Sequence, residues 1–332
     1  MNKNRINLRS ALGIVVSLLA LSGIFYYFSS RIDFQALVAI WKGMEPIWAA
    51  AAVAAMIGLY SVSTLRFQEI IRAETRTDAA FLPLLRIQLV VMFAALGLPV
   101  SAASDVLRVG LVHLRFPLSF EVALHIVLCD RIVGMLGLVA CGLLAVALQA
   151  ATGIGNEVMA IQAMVWGGGV ATAITLVVFG CFHVKLPWKR VEMLVHILQD
   201  IGQLLCRGDV VAYQLALVLV YTACAALVFW SLALGMHIAL APIYIFSFMP
   251  LILFVNNLPM FYLGWGGREA AVLATFSAIG GISPADALAL SIGYGGVVML
   301  SSLPGGIFWL LRPSLRKAGL QAGGGKPNRV KM

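Results

Sequence analysis

Seven runs without a charged side chain divide this chain: Ser10 to Ser30, Pro46 to Leu65, Ile87 to Ser104, Ile132 to Asn156, Val158 to Val184, Val210 to Gly267 and Ala287 to Leu311. Each is about as long as the ~18–20 residues that carry a helix across a bilayer core, or longer. The run from Val210 to Gly267 must hold more than one element. The pattern predicts an all-α polytopic membrane protein.

Composition agrees. Of 332 residues, 61% are hydrophobic and 11% charged, with mean hydropathy +0.98, whereas soluble domains are roughly 45–50% apolar and about 25% charged. The net charge of +9 would suggest nucleic acid in a soluble protein. Here Lys and Arg gather at both termini and in two internal segments, as the positive-inside rule distributes them, so no nucleic-acid partner is expected. Cys129, Cys141, Cys181, Cys206 and Cys224 are odd in number and contain no CxxC pair, which implies neither a disulfide framework nor a zinc site. Ala20-Leu21-Ser22 loosely resembles a signal-peptidase site, but hydrophobicity continues through Ile24, Phe25 and Tyr26, which favours a retained first helix.

Charge placement sets a topology. With Lys3, Arg5 and Arg9 in the cytoplasm, a helix near 11–29 exits and one near 47–65 returns to a basic segment with Arg66, Arg72 and Arg76. The segment with Lys185, Lys189, Arg190 and Arg207 is expected in the cytoplasm; lying on the membrane surface and a solvated loop are both open readings for it. A basic cytoplasmic tail occupies 313–332. Helices near 120–149 and 159–183 flank an external loop near Thr152 to Glu157. Residues 82–116 then begin and end in the cytoplasm and form a hairpin. In the second half, helices near 210–235 and 287–311 leave residues 241–281 as a hairpin entering from the opposite face. Both termini are expected in the cytoplasm.

Similarity between these regions supports the pairing. Leu98-Pro99 precedes Arg108 by the same interval as Leu258-Pro259 precedes Arg268, and Leu118-Ser119, Ala123-Leu124 and Met135 match Ile282-Ser283, Ala287-Leu288 and Met299 at a constant offset. The expected architecture is two inverted repeats, 1–152 and 153–312, each with three full transmembrane helices and one Pro-broken re-entrant hairpin.

Proline removes a backbone donor and clashes with the preceding turn, so Pro99 and Pro259 are the expected breaks, with Gly264 and Gly266 beside the second. Broken helices in inverted repeats point to a transporter's substrate site. Arg108 and Arg268 are the first candidates for an anionic or phosphate-bearing substrate, because a guanidinium matches phosphate as a planar fork. The alternatives are an interface marker for Arg108 and a hairpin-fixing pair with Glu269 for Arg268. Asp130 and Arg131 lie deep in one helix and point about 100° apart, so each needs another partner; Asp105 and Glu121 are candidates for Arg131. Asn256 and Asn257 are candidate substrate donors or caps for exposed backbone. The glycine groups 167–169, 264–267 and 293–296 read as packing surfaces, since no GxxxxGK[ST] pattern follows. His125 and Cys129 share a helical face, which reads as packing, and the other histidines are scattered. Neither a metal nor a cofactor is expected, and no catalytic residue is assigned.

These residues resemble a known family, the flippase-like transmembrane domain found at the N-terminus of lysylphosphatidylglycerol synthetases and as stand-alone proteins, including hopanoid-associated ones. The resemblance covers about residues 10–312. It rests on Leu98, Pro99, Asp105 and Arg108, with Ser104 where the family pattern has glycine; on Pro259, Gly264, Gly266, Arg268 and Glu269; and on Arg131. It implies movement of lipids between leaflets of a bacterial cytoplasmic membrane. The 332 residues leave no room for the soluble aminoacyl-transferase domain of those synthetases, so synthesis of the lysyl-lipid is not expected. The expected partners are membrane lipids, a second copy of the chain or lipid-biosynthesis proteins. Two other function classes compete: a non-transporting subunit of a lipid-synthesis complex, and an intramembrane head-group enzyme, which would need a convergent acid/base or metal cluster and would be tested by substituting Asp130, Glu269 and His125.

Overall fold

A computed structural model describes residues 40–75, 78–96, 101–116, 118–153, 156–181, 199, 201–203, 205–257, 267–277 and 279–311. Among them the fold is all helical. Its elements are α1 (Pro46–Thr75), α2 (Phe81–Ala95), α3 (Ser101–Arg115), α4 (Phe120–Thr152), α5 (Asn156–Cys181), α6 (Gly208–Gly235), α7 (Pro242–Asn257), α8 (Gly267–Val272) with a π-helical turn at Leu273–Ser277, and α9 (Pro284–Leu311). The helix expected near 11–29, the tail 313–332, Lys185, Lys189, Arg190 and the breaks at Pro99, Pro259, Gly264 and Gly266 lie outside the described residues.

Helices α1, α4, α6 and α9 are long and apolar enough to cross a membrane. Apolar side chains such as Ile47, Met164 and Leu310 stand more than 70% exposed. That suits lipid contact and would be costly in water. Helices α2 and α7 have 15 and 16 residues, reaching about 22–24 Å at 1.5 Å per residue, short of a ~30 Å hydrocarbon core.

Local chemistry explains several boundaries. Ser119 caps α4 by accepting from the Val122 amide at 3.2 Å, and Ser283 accepts from the Asp286 amide at 3.1 Å ahead of α9, each satisfying an orphan N–H of a first turn. Gly153 ends α4 at φ 73°, its amide bound to the Gln149 carbonyl at 2.8 Å, a left-handed cap that glycine adopts without a Cβ clash. One expectation is corrected. Helix α1 does not end near Leu65 but continues to Thr75, so Arg66 is a buried residue within it and not the start of the segment after it.

Two apolar clusters make the core. One joins the first half of α1 with α6 to α9 around Met56, Phe229, Phe248 and Phe276; the other joins the second half of α1 with α2, α3 and α4 around Ile70, Leu84, Leu111 and Ile126. Helix α1 packs most extensively on α6, and α9 on α2. Close approach depends on glycine at particular crossings. A Cβ at Gly305 would collide with the Leu89 carbonyl, and one at Gly169 would meet Val139, whereas Gly167 and Gly168 face open space. The 167–169 group is thus a packing surface at one position only.

Candidate functional site

Between the two clusters lies a cavity of about 280 Å³, near the small end of the ~300–1,000 Å³ typical of ligand sites. Four arginines line it, Arg66, Arg108, Arg131 and Arg268, against two carboxylates, Asp105 and Asp130. Of the substrate candidates read from the sequence, Arg108, Asp105, Asp130, Arg131, Arg268, Asn256 and Asn257 all line this one space. Glu269 stands behind Arg268.

Asp130 is the hub. Its Oδ2 accepts from Arg108 Nη1 at 3.1 Å, and its Oδ1 accepts from Arg66 Nη2 at 3.4 Å. Arg66 also donates to the Asp130 carbonyl at 3.2 Å and to Gln214 Oε1 at 3.4 Å, while Gln214 returns a bond to the Arg66 carbonyl at 3.1 Å. Arg108 donates to Gln88 and lies over the Phe67 ring at 5.1 Å. The triad of two guanidiniums and one carboxylate is buried and carries a formal positive surplus. Buried charge is retained only where partners compensate it. Here compensation is partial. Arg108 is buried among the helices.

The remaining pairs are balanced. Arg131 pairs with Asp105, not Glu121, and donates to the Asn257 carbonyl at 3.0 Å, placing a cation on the C-terminus of α7, where the helix dipole favours it. Arg268 donates to Glu269 Oε1 at 2.7 Å and to Ser291 Oγ at 3.1 Å, and it lies over the Tyr294 ring at 5.2 Å. Ser291 in turn donates to Glu269 at 3.0 Å. Asn257, which lines the cavity, also turns its side-chain amide back to the Leu253 carbonyl at 2.8 Å.

Sequence reasoning passed over Arg66, Gln88 and the tyrosines Tyr60, Tyr221 and Tyr294, all lining the cavity. The Tyr60 hydroxyl is buried without a hydrogen-bond partner among the described residues, at a cost of about 1–3 kcal/mol unless a ligand or water satisfies it. The arrangement can bind an anion: it offers planar donors, a positive surplus and phenolic donors in one partly enclosed space.

A family model described as the lysylphosphatidylglycerol synthase TM region matches residues 10–305. Comparison with curated proteins gives no match.

Proposed function

We propose that this chain, which belongs to the lysylphosphatidylglycerol synthase TM region family, moves a lipid with a phosphate-bearing head group between the leaflets of a bacterial cytoplasmic membrane. The family ties the chain to membrane lipids, and its helices make it a multi-pass membrane protein. The observation that carries the finer reading is the shared Asp130. One carboxylate between Arg66 and Arg108 leaves a guanidinium surplus where a phosphate would complete the pairing. The role proposed is transport, not catalysis, with the head group held in the cavity and the acyl chains in the surrounding lipid.

Inverted halves would supply alternating access. Their support is a shared geometry. The offset relating Ser119 to Ser283 also relates Asp130 to Tyr294, and Arg108 contacts Asp130 as Arg268 contacts Tyr294. In each half, an arginine from a short helix leans on the same position of the Ser-capped helix that follows. The short α2–α3 and α7–α8 pairs are then re-entrant hairpins meeting at the cavity from opposite faces, with both termini cytoplasmic.

The test is transbilayer movement of fluorescent phospholipids in proteoliposomes, comparing the wild type with Arg108→Lys, Arg108→Ala and Arg268→Ala at matched reconstitution. Movement above empty liposomes that both alanine variants abolish supports the assignment, with Arg108→Lys intermediate because a point charge replaces the fork. Movement indifferent to all three removes the cavity from the pathway. No movement of any phospholipid rejects the transport reading.

A further inference from the structure

Outside the cavity, the end of α1 meets the start of α4 through three side chains of metal-binding type. Glu74 Oε2 lies 3.3 Å from His125 Nε2, and Cys129 Sγ lies 3.4 Å from the same nitrogen. All three donor atoms fall within 4.8 Å of one another. We propose that Glu74, His125 and Cys129 form a binding site for a divalent, borderline-soft metal ion, best matched by zinc, that braces α1 against α4.

The dimensions fit. Tetrahedral zinc, with bonds of about 2.0–2.3 Å to N, O and S, sets ligand atoms roughly 3.3–3.6 Å apart. Two of the three edges already have that length. The third, between Glu74 and Cys129, is within 4.8 Å, and Glu74 sits on the last turn of α1. His125 and Cys129 stand one turn apart on α4, so one helical face presents both.

Charge fits as well. A thiolate, a carboxylate and a neutral imidazole around a divalent cation sum to zero, which suits a site where Cys129 is buried and Glu74 and His125 are about four-fifths covered. Binding releases the Cys129 proton to solvent, and the ion takes its place on sulfur. Thiolate and imidazole together disfavour magnesium and calcium, which prefer oxygen ligands. Three protein ligands leave a fourth position for water.

Placement gives the site its consequence. Cys129 directly precedes Asp130, and Glu74 lies about two turns beyond Arg66 on α1. The ion would clamp the same two helices that the Arg66–Asp130 contact joins, holding one wall of the cavity. This inference stands whether or not the chain moves lipids.

The experiment is a cobalt(II) titration of the purified, chelator-stripped protein in detergent, read by the thiolate-to-cobalt charge-transfer band and followed by zinc competition and elemental analysis. The expected result is one ion per chain, displaced by zinc, with the band lost in Cys129→Ser. Affinity should fall at least about tenfold in Glu74→Gln and in His125→Gln, and stay unchanged in Cys206→Ser and His113→Ala. Should Cys129→Ser fail to fold, Glu74→Gln decides, since its amide keeps a hydrogen bond to His125. No charge-transfer band, a band that survives Cys129→Ser, or affinity indifferent to Glu74→Gln overturns the site and leaves an ordinary His–Glu contact.

Discussion

Arg108 Nη1 reaches Asp130 Oδ2 at 3.1 Å across the α3–α4 contact, and the opposite oxygen of the same carboxylate is held by Arg66 at 3.4 Å. Asp130 thus neutralises part of two buried cations. Removing it leaves both without a carboxylate among the described residues, and breaking a buried pair in this way costs about 3–5 kcal/mol. Asp130→Asn should lower the unfolding midpoint of the detergent-solubilised protein accordingly. The double variant Arg66→Gln with Asp130→Asn should lose less than the sum of its parts, because the residues share one network. Strict additivity in thermal or denaturant unfolding would show that they are energetically separate.

Arg66 reaches Asp130 because Gly134 stands one turn further along α4. A Cβ at 134 would lie 2.5 Å from Arg66 Nη2 and 3.2 Å from its Cζ. The tip of an arginine is normally easy to displace, but this one is tied to Asp130 and Gln214. Gly134→Ala is therefore expected to cost about 1–3 kcal/mol, as overpacking does. Shortening the partner should relieve the clash, so the same substitution in an Arg66→Ala background should be close to neutral relative to that background. A full penalty in both backgrounds, measured by thermal unfolding, rules out the guanidinium as the cause.

The site was legible where charge is scarce. Arg268 and Glu269 follow a charge-free run beginning at Val210, and Asp130 and Arg131 interrupt an apolar helix, so elementary solvation physics singles them out. Arg66 was hidden because it opens a charged run through Arg72 and Arg76 that the positive-inside rule assigns to the cytoplasmic segment after the helix. In the fold, its helix simply continues. The tyrosines at 60, 221 and 294 were hidden because they sit inside charge-free apolar runs, where nothing in the charge pattern marks them. Partner choice was not legible at all. Whether Arg131 finds Asp105 on the preceding helix or Glu121 on its own, or Glu74 finds His125, depends on how the helices cross.

Ser291 ties the second arginine to its carboxylate. It accepts from Arg268 at 3.1 Å and donates to Glu269 at 3.0 Å, so it orients a pair that adjacency alone would leave poorly directed. Ser291→Ala should cost about 1 kcal/mol in stability and slow lipid movement several-fold by loosening Arg268. Glu269→Gln should slow it further, since it removes the charge as well as the geometry. Proteoliposome rates at matched reconstitution decide this. Rates unchanged in both variants would mean that the orientation of Arg268 is immaterial.

Gly305 and Leu89, where α9 packs on α2, do not line the cavity themselves. A Cβ at Gly305 would run into the Leu89 carbonyl, a backbone atom that cannot turn aside, so Gly305→Ala must push α2 away from α9. Overpacking of this kind costs about 1–3 kcal/mol. Leu89 adjoins Gln88, which accepts from Arg108, and the shift should therefore loosen Arg108 and reduce lipid movement although residue 305 is remote from the site. Gly168→Ala is the matched control. Its Cβ meets nothing, and alanine is the better helix former by about 1 kcal/mol, so stability should hold or rise and movement stay at the wild-type rate. Equal behaviour of the two variants in thermal unfolding and in proteoliposomes would show that α2 is not seated on α9 through Gly305, and that Arg108 does not depend on that seat.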